Sequence, residues 1–160
     1  LPDAAGNKVV KFDGNGKFIS IWGAKGTAEG QFHKPHGVAI DSEDNIYITD
    51  MRNSRIQKFA SNGNFISTWA TEGTNQGQFT EVMPGIDTDY SNDNVYVIDK
   101  DGTNVQKFSN KGKFIAKWGI KGGGDGQFYD PEDIAINPKM GTVYVTDTGN
   151  SRIQIFDVNP

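Results

Sequence analysis

Apolar and polar positions alternate along this chain in short runs broken by Gly, Asn and Asp. In Asn45–Asp50, Ile46 and Ile48 alternate with Tyr47 and Thr49. That two-residue period, with β-branched and aromatic side chains, predicts a strand. The surrounding stretch reads as four strands: a near Gly37–Asp41, b at Asn45–Asp50, c at Arg55–Phe59 and d at Asn64–Ala70. Strands b and c carry apolar or aromatic residues on both faces, which predicts a sheet packed on both sides. The c–d connections DGNGK, SNGN and SNKGK have the Asn/Gly chemistry of hairpin turns. No segment sustains a 3.6-residue period, so helix is expected to be scarce.

The pattern repeats. GQF occurs at Gly30, Gly77 and Gly126, and YITD, YVID and YVTD start at Tyr47, Tyr96 and Tyr144. VVKF, IQKF, VQKF and IQIF start at Val9, Ile56, Val105 and Ile153. FISIWG, FISTWA and FIAKWG start at Phe18, Phe65 and Phe114. Four motifs sharing a step of 47 to 49 residues define a structural repeat. Four antiparallel strands per repeat of this length predict blades of an all-β propeller. The blade parts are 1–23, 24–70, 71–119 and 120–160, in one propeller segment. Trp22, Trp69 and Trp118 recur on strand d, and Phe32, Phe79 and Phe128 in GQF, so both sets are expected between blades.

The stretch GQFHKPHGVAIDSEDNIYITDMRNSRIQKFASNGNFISTWA resembles an NHL repeat. The matching pieces are GQF, Pro-x-Gly-Val-Ala-Ile-Asp, Asn-Ile-Tyr-Ile-Thr-Asp, Asn-x-Arg-Ile-Gln-Lys-Phe and the closing Phe-x-x-x-Trp. The resemblance extends over essentially the whole chain and implies a propeller, commonly six-bladed. It says little about function, because one fold hosts many functions.

Asp3 aligns with Asp147, so the chain starts at the end of a b strand and stops after a c strand. About three blades result, too few to close a ring. The open blade faces and strand edges predict self-association, head to tail, of two arcs into a closed six-bladed ring. A seam blade would take a–b–c from one chain and d from the other, leaving one duplicated c strand over. The alternative is a segment of a longer propeller. The start at Leu1 rather than Met fits a processed product or a segment.

His33 and His36 are the only histidines, three residues apart. Both fall in the d–a connection, on the disc face that also carries the b–c connections. A zinc site needs three or four converging ligands. The equivalent stretches are Tyr129-Asp130-Pro131-Glu132-Asp133, and Thr80-Glu81-Val82-Met83-Pro84-Gly85 with one residue inserted. The propeller of peptidyl-α-hydroxyglycine α-amidating lyase is similar, and that resemblance implies metal-binding His at Pro-His strand starts in several blades. Here only His36 matches. The expectation is therefore a loop or channel-lining His36, with no catalytic residue assigned and no cofactor. The alternative is Zn²⁺ or Ca²⁺ at His36 and Glu132, in a channel-centred lyase or hydrolase.

Charge and composition narrow the rest. A net charge of −4 disfavours a nucleic-acid backbone, despite possible basic patches from Lys34, Arg52, Arg55 and Lys100. The chain has no Cys, hence no thiolate site or disulfide. No apolar run approaches the ~20 residues that span a membrane. The repeated Asp-x-x-Asn-x-Arg (Asp50 with Arg55, Asp147 with Arg152) predicts turn capping plus a local ion pair; the second repeat, DKDGTNVQKF, lacks the Arg. The acidic stretches Asp41–Asn45, Asp89–Asn94 and Asp99–Asn104 lack Ca²⁺-loop spacing and read as turns. The functional expectation is a non-catalytic binding or scaffold module for a protein or small ligand. Its working residues would be His33, His36, Arg52, Lys100, Glu132 and Thr148.

Overall fold

The computed structural model describes residues 1–80, 82–99 and 103–157, the side chains of 82–84 excepted. Four antiparallel sheets follow one another along the chain. The first holds β1 (Pro2–Asp3), β2 (Lys8–Phe12) and β3 (Phe18–Trp22). The second holds β4 (Pro35–Ile40), β5 (Ile46–Asp50), β6 (Arg55–Phe59) and β7 (Phe65–Trp69). The third holds β8 (Val82–Asp89), β9 (Asn94–Asp99), β10 (Asn104–Phe108) and β11 (Phe114–Trp118). A short parallel pair, β12 (Ile120–Lys121) with β13 (Gln127–Phe128), precedes the last sheet: β14 (Pro131–Asn137), β15 (Thr142–Asp147) and β16 (Arg152–Asp157). The blades are therefore b–c–d, a–b–c–d, a–b–c–d and a–b–c. Strand c of the first full repeat has the bounds expected from its sequence. Strand a starts two residues earlier than expected, and b and d are trimmed by a residue at one or both ends.

Two single 3-10 turns, Met51–Asn53 and Thr148–Asn150, form b–c corners, where Ser54 and Ser151 adopt left-handed backbone. The c–d hairpins turn at Gly16, Gly63 and Gly112, all with positive φ. All five residues of β5 are buried, because blades cover the sheet on both sides.

The core lies between blades. Tyr47, Ile56 and Ala39 of the second blade pack on Phe79, Ile86, Val95, Val97 and Phe108 of the third. Tyr96, Ile98 and Val105 repeat this against Phe128, Ile134, Val143 and Val145. Val9 packs with Phe32, Ile46, Ile48 and Phe59 at the first seam. Each strand-d Trp sits against the strand-c Phe of the next blade, with ring centroids 6.1 Å (Trp22–Phe59), 6.4 Å (Trp69–Phe108) and 6.1 Å (Trp118–Phe156) apart. Each blade thus has a leading face and a trailing face, and a seam joins unlike faces.

Candidate functional site

The d–a and b–c connections meet on one face of the arc, and one buried carboxylate ties them together in each of the last three blades. Asp50 Oδ1 accepts from the backbone N–H of His33 at 2.7 Å. Its Oδ2 accepts from Asn53 at 2.8 Å, Arg55 Nε at 2.8 Å and Gln57 at 3.1 Å. Asp147 repeats the node with Tyr129 N (2.8 Å), Asn150 (2.9 Å), Arg152 Nε (2.8 Å) and Gln154 (2.9 Å). Burial alone would raise the Asp147 carboxyl, but these donors outweigh it and hold its pKa below the usual carboxylate value. In the third blade Asp99 accepts from Thr80 N at 3.1 Å, and Asn104 stands where the others have Arg.

The repeated Arg does more than pair with its neighbour. Arg55 donates to the carbonyls of Thr27 (2.7 Å), Ala28 (2.9 Å) and Gln31 (2.8 Å), and is thereby removed from the surface cations expected to form basic patches. A strand-c Gln, which sequence reasoning left without a role, clamps the same loop. Gln57, Gln106 and Gln154 accept from the Gly of GQF (Gly30 at 2.9 Å, Gly77 at 3.0 Å, Gly126 at 2.9 Å). They donate to the Gln carbonyl of the same motif, at 2.7, 2.6 and 2.7 Å. The recurrence of that Gln 27 to 29 residues after the Gly of GQF was the signal available in the sequence.

The candidate residues stand on this frame. Strand a begins with a bulge in each of the three blades that have one: between Pro35 and Val38, between Val82 and Ile86, and between Pro131 and Ile134. The extra residue turns the strand and re-aims its side chains. His36 and Glu132 sit in the first and last of these bulges, and both are exposed. The Thr49 hydroxyl accepts from Gly37 N at 2.7 Å, and Thr146 serves Asp133 N at 2.8 Å, which satisfies the bulged backbone. The residue inserted in the second repeat widens its bulge, where three residues oppose one.

His33 is half-buried, and its carbonyl accepts from Arg52 N at 3.0 Å, so it belongs to the frame more than to the surface. Arg52 and Thr148 are exposed on the b–c corners. Lys100 lies outside the described residues. The second and fourth blades differ in charge: Lys34 and Arg52 are exposed on one, Glu132 and Asp133 on the other. Among the described residues, no three His, Asp or Glu side chains converge as a metal site.

Asp87 was not singled out in the sequence. It occupies the strand-a position of Ala39 and Ala135, and accepts from Thr88 N at 2.8 Å and from Ile136 N, in the next blade, at 2.7 Å. Burial raises its carboxyl above the usual value despite both bonds. It is a polar strap between neighbouring strands at the inner edge of the arc.

The NHL repeat family model matches residues 32–59 and 128–156. No curated protein matches the chain. Among solved structures, a virginiamycin B lyase from Staphylococcus aureus is similar at 14% identity and TM-score 0.65, over 98% of this chain and 50% of that one. A streptogramin B lyase is similar at 16% identity and TM-score 0.63, over 96% of this chain and 49% of that one. A hydrazine synthase from Kuenenia stuttgartiensis is similar at 12% identity and TM-score 0.70, over 98% and 41%. The chain spans about half the length of these neighbours, and at such identities the likeness is one of fold. With GQF loops, Asp–Asn–Arg nodes and Trp–Phe seams recurring in register, the chain carries two stretches that match the NHL repeat, and its blades form an arc of a β-propeller.

Proposed function

We propose that this chain is a non-catalytic binding module that takes a protein or peptide partner on its d–a and b–c loop face, and that it works within a ring closed head to tail with a second copy. The observation that carries the binding reading is the division of labour in the loops. The nodes of Asp50 and Asp147 and the clamps of Gln57, Gln106 and Gln154 use the repeated residues internally. The residues that vary between blades, His36, Arg52, Glu132 and Thr148, stand exposed on top. A repeated frame with variable tips is the form of a recognition surface. Its basic blade and acidic blade suit a partner segment carrying both charge signs.

The lyase alternative rests on His36 and Glu132, and Glu132 carries no imidazole. The likeness to lyases supports the fold that both readings share.

The test is selection of peptides from a displayed library on the wild-type chain, followed by rebinding to Arg52→Ala and Glu132→Ala. Both substitutions leave the frame intact. At least one is expected to weaken selected peptides about tenfold, which corresponds to about 1.4 kcal/mol. Peptides that bind both variants as well as the wild type would place recognition elsewhere and overturn the reading.

A further inference from the structure

Two blades fill the space under their GQF loop with a guanidinium of their own. Arg55 places Nε on Asp50, Nη1 on the carbonyl of Thr27, and Nη2 on those of Ala28 and Gln31. Arg152 does the same with Asp147, Gly124 and Gln127. Beside each Arg, an Asn donates to a glycine carbonyl of the loop, Asn53 to Gly26 at 3.0 Å and Asn150 to Gly122 at 2.9 Å. In the third blade both donors change together: Asn104 replaces the Arg and Gly102 the Asn.

The acceptors stay. The loop of the third blade keeps the form of the others. Gln78 N donates to the Asn75 carbonyl at 3.1 Å, as Gln31 N does to Ala28 at 3.1 Å. Gln106 holds Gly77 and Gln78 as Gln57 holds Gly30 and Gln31. The carbonyls of Thr74, Asn75 and Gln78 therefore stand where those of Thr27, Ala28 and Gln31 receive Arg55. Asp99 keeps the carboxylate of the node. Asn104 donates to it through Nδ2 at 3.5 Å and, among the described residues, makes no bond to the loop carbonyls. Asn104 is 3% exposed, and its buried Oδ1 has no hydrogen-bond partner. A buried acceptor without a donor is unfavourable, and a donor arriving from outside relieves it.

Resting on the peptide-binding reading above, we propose that the third blade binds a guanidinium supplied by an Arg side chain of the partner, in the place that Arg55 and Arg152 fill in their own blades. The guanidinium donates to the loop carbonyls of Thr74, Asn75 and Gln78 and to Asn104 Oδ1, and Asp99 supplies the opposite charge. A planar group with several N–H donors and no acceptor suits a set of oxygens held in fixed directions. Thr74 and Asn75 are exposed, so the loop meets the face on which the partner lies.

NMR titration of the isotope-labelled chain with N-acetyl-arginine amide tests the site directly. Saturable shifts are expected at the Asn104 side-chain amide and at the backbone amides of Asn75 and Gln78. N-acetyl-citrulline amide has a similar shape without the charge and should bind at least tenfold more weakly. Asn104→Arg restores the side chain of the other two blades and fills the site from within. It should bind the arginine amide at least tenfold more weakly and melt no lower than the wild type. Absence of saturable shifts, equal binding of citrulline, or undiminished affinity in Asn104→Arg overturns the proposal. So does K⁺ or Ca²⁺ that gives the same shifts and displaces the arginine amide, since the site would then hold a metal ion. Should Asn104→Arg fail to fold, the comparison of arginine with citrulline on the wild type decides. The selected peptides separate the two readings. Peptides weakened by Arg52→Ala or Glu132→Ala that bind Asn104→Arg as well as the wild type leave the binding module standing and overturn the arginine site.

Discussion

At the residue scale, the buried carboxylates are the most sensitive points, and they titrate in opposite senses. Asp147 and Asp41 are held below the usual carboxylate value. In both, burial is outweighed by hydrogen bonds, which for Asp41 come from Tyr47 and Asn45, with Lys58 nearby. A depressed native pKa contributes stability that is present above the unfolded value and lost as pH falls through the native one. Asp147→Asn should therefore destabilise the chain at pH 7, and the gap to wild type should close in acid denaturation series as pH falls below the ordinary carboxylate range. Asp87 has the reverse sign, since burial raises it. Its contribution is most favourable below the ordinary carboxylate range and declines as pH rises through it. The melting temperature of Asp87→Asn relative to wild type should climb over that interval. A flat difference would show that the strap does not titrate there. Removing the frame acid outright, as in Asp50→Ala, leaves Arg55 largely buried without its partner. The expected loss is about 3 kcal/mol in urea unfolding.

At the scale of the element, hairpins and loops depend on close approach. Gly112 combines φ of +79° with a position where a Cβ would lie 2.6 Å from the Trp69 ring of the preceding blade. Gly112→Ala should cost about 1–3 kcal/mol, from backbone strain and a displaced Trp. Red-shifted Trp emission should accompany the lower midpoint. Gln106→Ala should cost about 1–3 kcal/mol as well, by leaving the Gly77 N–H and the Gln78 carbonyl without their partner. These elements were legible in the sequence because Gly, Asn and the apolar period act locally. The Gln clamp was visible only as a recurrence, since its partner lies 26–29 residues away.

At the scale of the whole molecule, a metal in the channel would bind only the folded chain and raise its melting temperature. None of the residues at the loop face assembles with two others as a ligand set among those described. Titration with Zn²⁺ or Ca²⁺ should leave the melting temperature unchanged. A rise that Glu132→Ala and His36→Ala both abolish would instead restore the metal reading. The melting temperature should also increase with protein concentration, as mass action requires of a ring closed between copies. A concentration-independent melt would count against closure.

The repeat period, the four-strand blade, the scarcity of helix and the seam positions of Trp and Phe all followed from sequence. Each is dictated by local turn chemistry or by a side chain that recurs at one place in every blade. Tertiary structure alone decided three things. It placed His36 and Glu132 in bulges, which depend on the pairing of strand a with strand b. It turned the Asp–Arg motif from a turn ornament into a clamp on the preceding loop, a contact spanning 24 to 28 residues. And it showed which apolar positions lose their cover at the ends of the arc, because burial depends on the blade beyond and not on the residue itself.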